Sequence, residues 1–201
     1  LDSGAKRVFI SRNAKDTIDR YVIPGINESS IKSSDKIIST TSSTTQVLAL
    51  MVKMLDESFG LNRAMMTTVH AYTADQPLAD AAGVDLRRSR SAVENIIPNT
   101  TLAPSIVESL MPQFSGKLDG IAFNVPVPNG SCVDLTTELE NTPSVDEAND
   151  AIKNFSKGSL EGIVGYTEDP IVSSDVIGRE ETMVFDQKAT MMTNDELLKT
   201  L

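Results

Sequence analysis

Length, composition and charge limit the number of domains in this chain and the classes of partner it can bind. Its 201 residues (21.7 kDa, 40% hydrophobic) suffice for one core, or for one domain and a piece of another, and they favour a folded chain over a disordered one. The formal net charge of −10 disfavours nucleic acid, and no apolar run approaches the roughly 20 residues of a membrane span, so we expect neither partner.

The first half of the chain predicts short strands, one helix and one longer strand. Residues 6–11 and 36–39 read as strands, and the polar stretch between them turns at Pro24-Gly25. Apolar residues recur at helical spacing from Val47 onward until Gly60 ends the run, which predicts a helix over about residues 44–58. Residues 64–73 read as the longer strand.

Residues 74–98 read as a long, partly irregular loop that carries a basic cluster. Arg87, Arg88 and Arg90 form this cluster. Three basic residues in an acidic chain are only weak evidence for an RNA-binding surface. We therefore interpret them as partners in structural ion pairs.

The second half predicts two helices and three strands. Residues 103–111 read as a helix, and residues 144–157 as another that starts with a capping box of Ser144 and Glu147. The β-branched runs 120–127 and 131–139 flank Pro128-Asn129-Gly130, which predicts a β-hairpin, and residues 181–186 read as a further strand.

These elements predict an α+β fold with a mixed, largely antiparallel sheet and helices on one face. The single cysteine, Cys132, lies in a predicted strand, so we expect a buried structural thiol and no intrachain disulfide. No metal site is predicted.

Several collinear stretches of the chain match one known family. They lie at residues 39–46, 67–71, 85–88, 95–98, 116–122, 133–135, 162–168 and 172–175. Together they resemble the glyceraldehyde-3-phosphate dehydrogenase family over essentially the whole chain. The resemblance implies a glyceraldehyde-3-phosphate dehydrogenase-like catalytic domain at residues 43–201, preceded at residues 1–42 by the remnant of a Rossmann-type NAD-binding domain.

The resemblance also assigns the reacting groups. In the family, a cysteine at the N-terminus of a helix attacks the aldehyde, and a histidine on the following strand activates that cysteine. Ser43 matches the position of the cysteine, and His70, the sole histidine, matches the activating residue. A helix N-terminus and a neighbouring histidine lower the pKa of a thiol, but they do not ionise an alcohol. We therefore expect oxidation to be slower by several orders of magnitude.

Ser43 also has a structural interpretation. Ser43 and Gln46 fit the Ser-x-x-Gln pattern of a capping box. In that case the hydroxyl of Ser43 would cap the predicted helix, and we favour this interpretation over a catalytic serine.

Two anion sites of the family are matched only in part. Thr73 and Arg88 match residues that bind the substrate phosphate, and Ser42, Thr44 and Thr101 match hydroxyls that serve the attacking phosphate. Four positions depart from the family pattern, namely Gln46, Asp75 (for a threonine), Leu102 (for a glycine) and Asn124 (for an arginine). A carboxylate near phosphate repels it, and the loss of an arginine removes a charge-assisted contact, so we expect weak phosphate binding.

The resemblance implies NAD(P) as cofactor, with unknown binding residues. The chain contains no Gly-x-Gly-x-x-Gly fingerprint. We expect the glycine-rich half of the NAD domain to precede Leu1 and the closing segment of the family to follow Leu201, so this chain alone should bind NAD poorly. The resemblance further implies a homo-oligomer of the tetramer type, or a subunit of a larger assembly, in the cytoplasm or an organelle. In the family, sheets pack face to face between subunits.

Three functional hypotheses follow. The first is a degenerate family member that serves as a structural or interaction subunit. The second is an active aldehyde oxidoreductase, or a hydrolase, that uses Ser43 and His70 on an altered, non-phosphorylated substrate. The third is a fragment of an ordinary enzyme of the family.

Overall fold

The computed structural model describes residues 1, 3–194 and 196–201. Near the N-terminus, three short strands form a parallel sheet with β3 in the centre: β1 (Val8–Ile10), β2 (Arg20–Tyr21) and β3 (Ile37–Ser39). The predicted strands at residues 6–11 and 36–39 are confirmed. The sequence pattern missed β2, because two residues are too few to carry a periodicity.

The main sheet has six strands in the order β10-β11-β7-β4-β6-β5. Their bounds are β4 (Leu61–Ala71), β5 (Ile97–Asn99), β6 (Leu118–Val125), β7 (Cys132–Leu139), β10 (Met191–Thr193) and β11 (Leu197–Thr200). All neighbouring strands are antiparallel except β4 and β6, which are parallel. The remaining strands, β8 (Val164–Thr167) and β9 (Met183–Asp186), form a separate parallel pair. The expected mixed, largely antiparallel sheet is confirmed.

The predicted hairpin between β6 and β7 is wrong. The two strands do not pair, because β4 lies between them and bonds to both. The Pro128-Asn129-Gly130 segment therefore lies in a connection that crosses the end of β4. Turn residues favour a reversal of the chain, but they do not determine which strand the returning segment pairs with.

The described residues form three α-helices: α1 (Ser43–Phe59), α2 (Ala103–Leu110) and α3 (Val145–Ser156). Helix α2 packs on β6 of the main sheet, whereas α3 packs on α1 and β8. Helix α1 packs on β4 and β7 and contacts both other helices. The predicted helix over residues 44–58 is confirmed to within one residue at each end, and Gly60 follows α1 with a φ of 74°. The capping box of Ser144 and Glu147 at the start of α3 is also confirmed.

The two faces of the main sheet differ in burial. On the helix side, Met66 and Leu135 are at most 1% exposed. On the opposite face, Met65, Ile121 and Met191 are between 39% and 58% exposed. Because side chains alternate between the faces of a strand, β4 divides its residues between the core and an open surface.

The three-stranded sheet at residues 8–39 is parallel, as the strands of dinucleotide-binding domains are. Its assignment as the remnant of such a domain stays a prediction, and so does the domain boundary at residue 42.

Candidate functional site

A strand, a tight turn and a helix place Ser43. Strand β3 ends at Ser39, and α1 begins at Ser43 after a three-residue connection. Ser42 is the N-cap of α1, because its Oγ accepts a hydrogen bond from the N–H of Thr45 at 3.3 Å. Ser43 is therefore the first helical residue. It is exposed, and its hydroxyl makes no hydrogen bond with the residues that the structure describes.

The predicted capping box of Ser43 and Gln46 is therefore wrong. The cap lies one residue earlier, at Ser42. The Gln46 side chain instead donates from Nε2 to the carbonyl of Thr40 at 2.6 Å. The sequence cannot tell which of the two serines is the N-cap. Both Ser42 and Ser43 can accept the capping hydrogen bond, and each is followed three positions later by a residue whose side chain can also form hydrogen bonds.

His70 lies near the end of β4, and its orientation is set by a backbone carbonyl. Its Nδ1 lies 2.7 Å from the carbonyl oxygen of Ala71. A carbonyl only accepts hydrogen bonds, so Nδ1 carries the proton and Nε2 is the ring nitrogen that can accept one. The same carbonyl accepts a bond from Nδ2 of Asn124 at 3.2 Å, and Asn124 accepts one from Nδ2 of Asn99 at 3.2 Å.

This network revises the expectation for Asn124. The residue is buried (6% exposed) and fixes the carbonyl that orients His70. From the sequence, Asn124 is predicted only as a departure from an arginine, and Asn99 has no predicted role. The signal was available only in the pairing of β4 with β6, which sets His70 beside Asn124.

One cleft of about 540 Å³ brings Ser43, Thr44 and His70 together. We call it the Ser43 cleft. Its other walls come mainly from residues 128–133, 171–173 and 181–184. Gly130 has a φ of 80°, and a Cβ there would lie 2.4 Å from the carbonyl oxygen of Ser173, so this wall requires a glycine. The first residue of α1 and the imidazole of β4 thus line the same cleft.

A second cavity of about 430 Å³ contains Asp75, Gln76 and Arg88. Asp75 accepts a hydrogen bond from the Thr73 hydroxyl and forms an ion pair with Arg88. These contacts, the Thr73 hydrogen bond first and the charge of Arg88 next, lower the pKa of Asp75 below its usual value. The structure thus brings together Thr73 and Arg88, the two predicted phosphate contacts. Both of them contact the carboxylate of Asp75.

The remaining predicted site residues lie elsewhere. The Thr101 hydroxyl accepts a hydrogen bond from the N–H of Ala103 at 3.2 Å at the start of α2, and the neighbouring Leu102 is 63% exposed. The structure does not bring these two residues to the Ser43 cleft. The roles proposed for Ser42, Thr44 and Thr101 toward an anion stay predictions.

Two further expectations concern Cys132 and the basic loop. Cys132 is half-buried rather than buried, and burial, followed by the charge of Asp134, raises the pKa of its thiol. In the loop, Arg90 pairs with Asp80 at 3.0 Å. With the pair of Arg88 and Asp75, this confirms the interpretation of the basic cluster as structural ion pairing for two of its three arginines.

The residues that the structure describes contain neither a metal-binding cluster nor a helix that could span a membrane. No three His, Cys, Asp or Glu side chains cluster to hold a metal ion. No helix there combines the length and the apolarity needed to cross a membrane.

Comparisons with known proteins point to one family. The model of the glyceraldehyde 3-phosphate dehydrogenase C-terminal domain matches residues 42–201. The chain is 45% identical over 196 residues to the glyceraldehyde-3-phosphate dehydrogenase of Mycobacterium tuberculosis (strain ATCC 25618 / H37Rv), which covers 98% of this chain and 58% of the relative. It is 47% identical over 203 residues to that of Streptomyces coelicolor, with 100% and 60% covered. The chain thus spans about three-fifths of the length of these curated relatives.

Proposed function

This chain belongs to the glyceraldehyde-3-phosphate dehydrogenase family, and from that premise we propose that it carries the catalytic domain of a family member in which serine replaces the nucleophilic cysteine. Oxidation of an aldehyde through a thioester is then severely impaired. The protein acts as a structural or interaction subunit. Its domain boundary lies at residue 42, after the end of an NAD-binding domain.

The observation that carries this proposal is the position of Ser43. It is the first residue of α1, its hydroxyl is unengaged among the described residues, and it lines the same cleft as His70. The partial positive charge of a helix N-terminus stabilises a thiolate there. An alcohol has a pKa far above that of a thiol, so the same surroundings leave it protonated and a poor nucleophile.

The surroundings of Arg88 favour the same conclusion. A phosphate group that approaches Thr73 and Arg88 must compete with the carboxylate of Asp75 for both of them. The carboxylate is part of the chain, so it loses no translational entropy when it contacts Thr73 and Arg88, whereas a free phosphate does. Weak binding of phosphorylated substrates follows.

Cofactor and assembly complete the proposal. NAD(P) is the cofactor that membership in the family implies, and if bound it would supply the hydride acceptor. The eleven glycines of this chain contain no Gly-x-Gly-x-x-Gly spacing, and we expect weak binding by the chain alone. The exposed apolar residues Met65, Ile121 and Met191 share one face of the main sheet, and we propose that a second copy of the chain covers this face in a homo-oligomer.

An acyl-transfer experiment tests the proposal without requiring NAD. Native protein and the double variant Ser43→Cys/Cys132→Ser are mixed with an activated aryl ester, and the burst of released phenol is measured. Cys132→Ser removes the one native thiol, so the burst in the double variant reports position 43. We expect a stoichiometric burst from the double variant and none from the native chain.

Two controls make the result specific. His70→Ala in the double variant should slow the burst, because the thiol loses its proton acceptor. Cys132→Ser alone should resemble the native chain. A burst of equal size from the native chain, abolished by Ser43→Ala, would contradict impairment. It would indicate that Ser43 is a catalytic serine.

A further inference from the structure

The backbone between β3 and α1 adopts an uncommon conformation. Thr41 has a φ of 66°, in the left-handed region. This region is unfavourable for β-branched residues and persists only where the surroundings impose it. Thr41 is also 1% exposed, so its strained backbone is enclosed by the fold.

Two side chains hold this conformation from either side. The Ser39 hydroxyl is buried, accepts a hydrogen bond from the N–H of Thr41 at 3.0 Å and donates one to the carbonyl of Arg12 at 2.6 Å. On the helix side, Gln46 donates from its amide to the carbonyl of Thr40 at 2.6 Å. The turn is therefore tied both to the N-terminal sheet and to the first turn of α1.

The conformation matters because the nucleophile position follows two residues later. A left-handed residue turns the chain sharply, so the helix starts at Ser43 with Ser42 as an extended N-cap. We propose that Thr41 is a positioning residue whose left-handed backbone, held by Ser39 and Gln46, places the side chain at position 43 in the Ser43 cleft opposite His70. The inference rests on the proposed function in that it takes position 43 as the position that the nucleophilic cysteine occupies in the family.

The test uses the single-thiol variant Ser43→Cys/Cys132→Ser and two readouts. The first is the pH midpoint of alkylation by iodoacetamide. The second is the ring NMR signal of His70, which is unambiguous because the chain has one histidine. The carboxamidomethyl group added at position 43 should shift this signal when the two side chains are neighbours.

Matched substitutions at position 41 separate geometry from side-chain chemistry. Thr41→Gly permits a positive φ, so it should keep the midpoint within about 0.3 pH units and should keep the His70 shift. Thr41→Pro forbids a positive φ and removes the N–H that Ser39 binds, so it should move the midpoint toward the ordinary thiol value of about 8.5 and abolish the shift. At pH 7, we expect alkylation to slow about tenfold.

Ser39→Ala keeps the inference testable if Thr41→Pro does not fold, since it removes the hydroxyl that holds Thr41 and should give the same two changes. A folded Thr41→Pro or Ser39→Ala protein that keeps both readouts would overturn the positioning role, as would their loss in Thr41→Gly. An ordinary thiol midpoint in the single-thiol variant itself, together with an intact His70 shift, would count against the proposed function and in favour of the positioning role.

Discussion

Substitution of Asp75 tests directly whether its carboxylate weakens phosphate binding at Thr73 and Arg88. The substitution Asp75→Asn removes the carboxylate that pairs with Arg88 and accepts from Thr73. A phosphate at these two groups would lie about 5 Å from that carboxylate, where two unit charges repel by about 0.8 kcal/mol in bulk water and about 3 kcal/mol at a dielectric constant of 20. The Asp75 side chain is 63% exposed, so the lower value applies. For a phosphate that is nearly a dianion, about 1.5 kcal/mol is regained, which is about tenfold in affinity.

The assay is a titration with inorganic phosphate, followed by 31P NMR at low ionic strength. Asp80→Asn is the matched control, because it removes the same charge from the same loop, and Asp80 is 59% exposed and pairs with Arg90. We expect about tenfold tighter binding in Asp75→Asn and less than a twofold change in Asp80→Asn. Equal effects of the two substitutions would refute the reasoning, because net charge alone would then explain them.

The remaining predictions concern stability. Ser144→Ala removes the N-cap of α3 and should cost about 1 kcal/mol in urea unfolding; an unchanged midpoint would contradict the capping role. Hydrogen bonds from Arg179 lower the pKa of Glu181 to about 2, so the stabilisation that Glu181 contributes is present above its usual pKa of 4.5 and is lost as the pH falls toward 2. Glu181→Gln should therefore be less stable than the native chain by about 1 kcal/mol at pH 7 and equal to it below pH 2, and an equal deficit at both pH values would disprove the linkage. Leu135→Ala should cost about 2–5 kcal/mol, because the side chain is fully buried, whereas Met65→Ala on the open face should cost less than about 1 kcal/mol in the dissociated chain; similar losses in thermal unfolding would mean that the two faces are not distinct.

Features that depend on neighbouring residues were predictable from the sequence. The apolar spacing that begins at Val47 and ends at Gly60 defined α1, and the capping box of Ser144 and Glu147 defined the start of α3. Both patterns act within a few turns of one helix. Short strands such as β2 and β10 were missed, because two or three residues are too few to show a repeated alternation.

Features that depend on distant residues were not predictable. The segment around Pro128-Asn129-Gly130 has the composition of a hairpin turn, yet β4 separates the two strands it connects. Asp75 was expected to repel phosphate, and the structure adds that its carboxylate engages Thr73 and Arg88 directly. The support of His70 by Asn124 depends on the parallel register of two strands more than fifty positions apart.

By itself, the amino-acid sequence determined the helices, the α+β class and the residue types at positions 43 and 70, because these follow from short-range periodicity, capping and residue identity. The tertiary structure alone decided which strands are neighbours, which serine caps α1 and which backbone residue is left-handed. Those outcomes depend on contacts between segments far apart in the chain, and the free energy of such contacts is defined only once the core has formed.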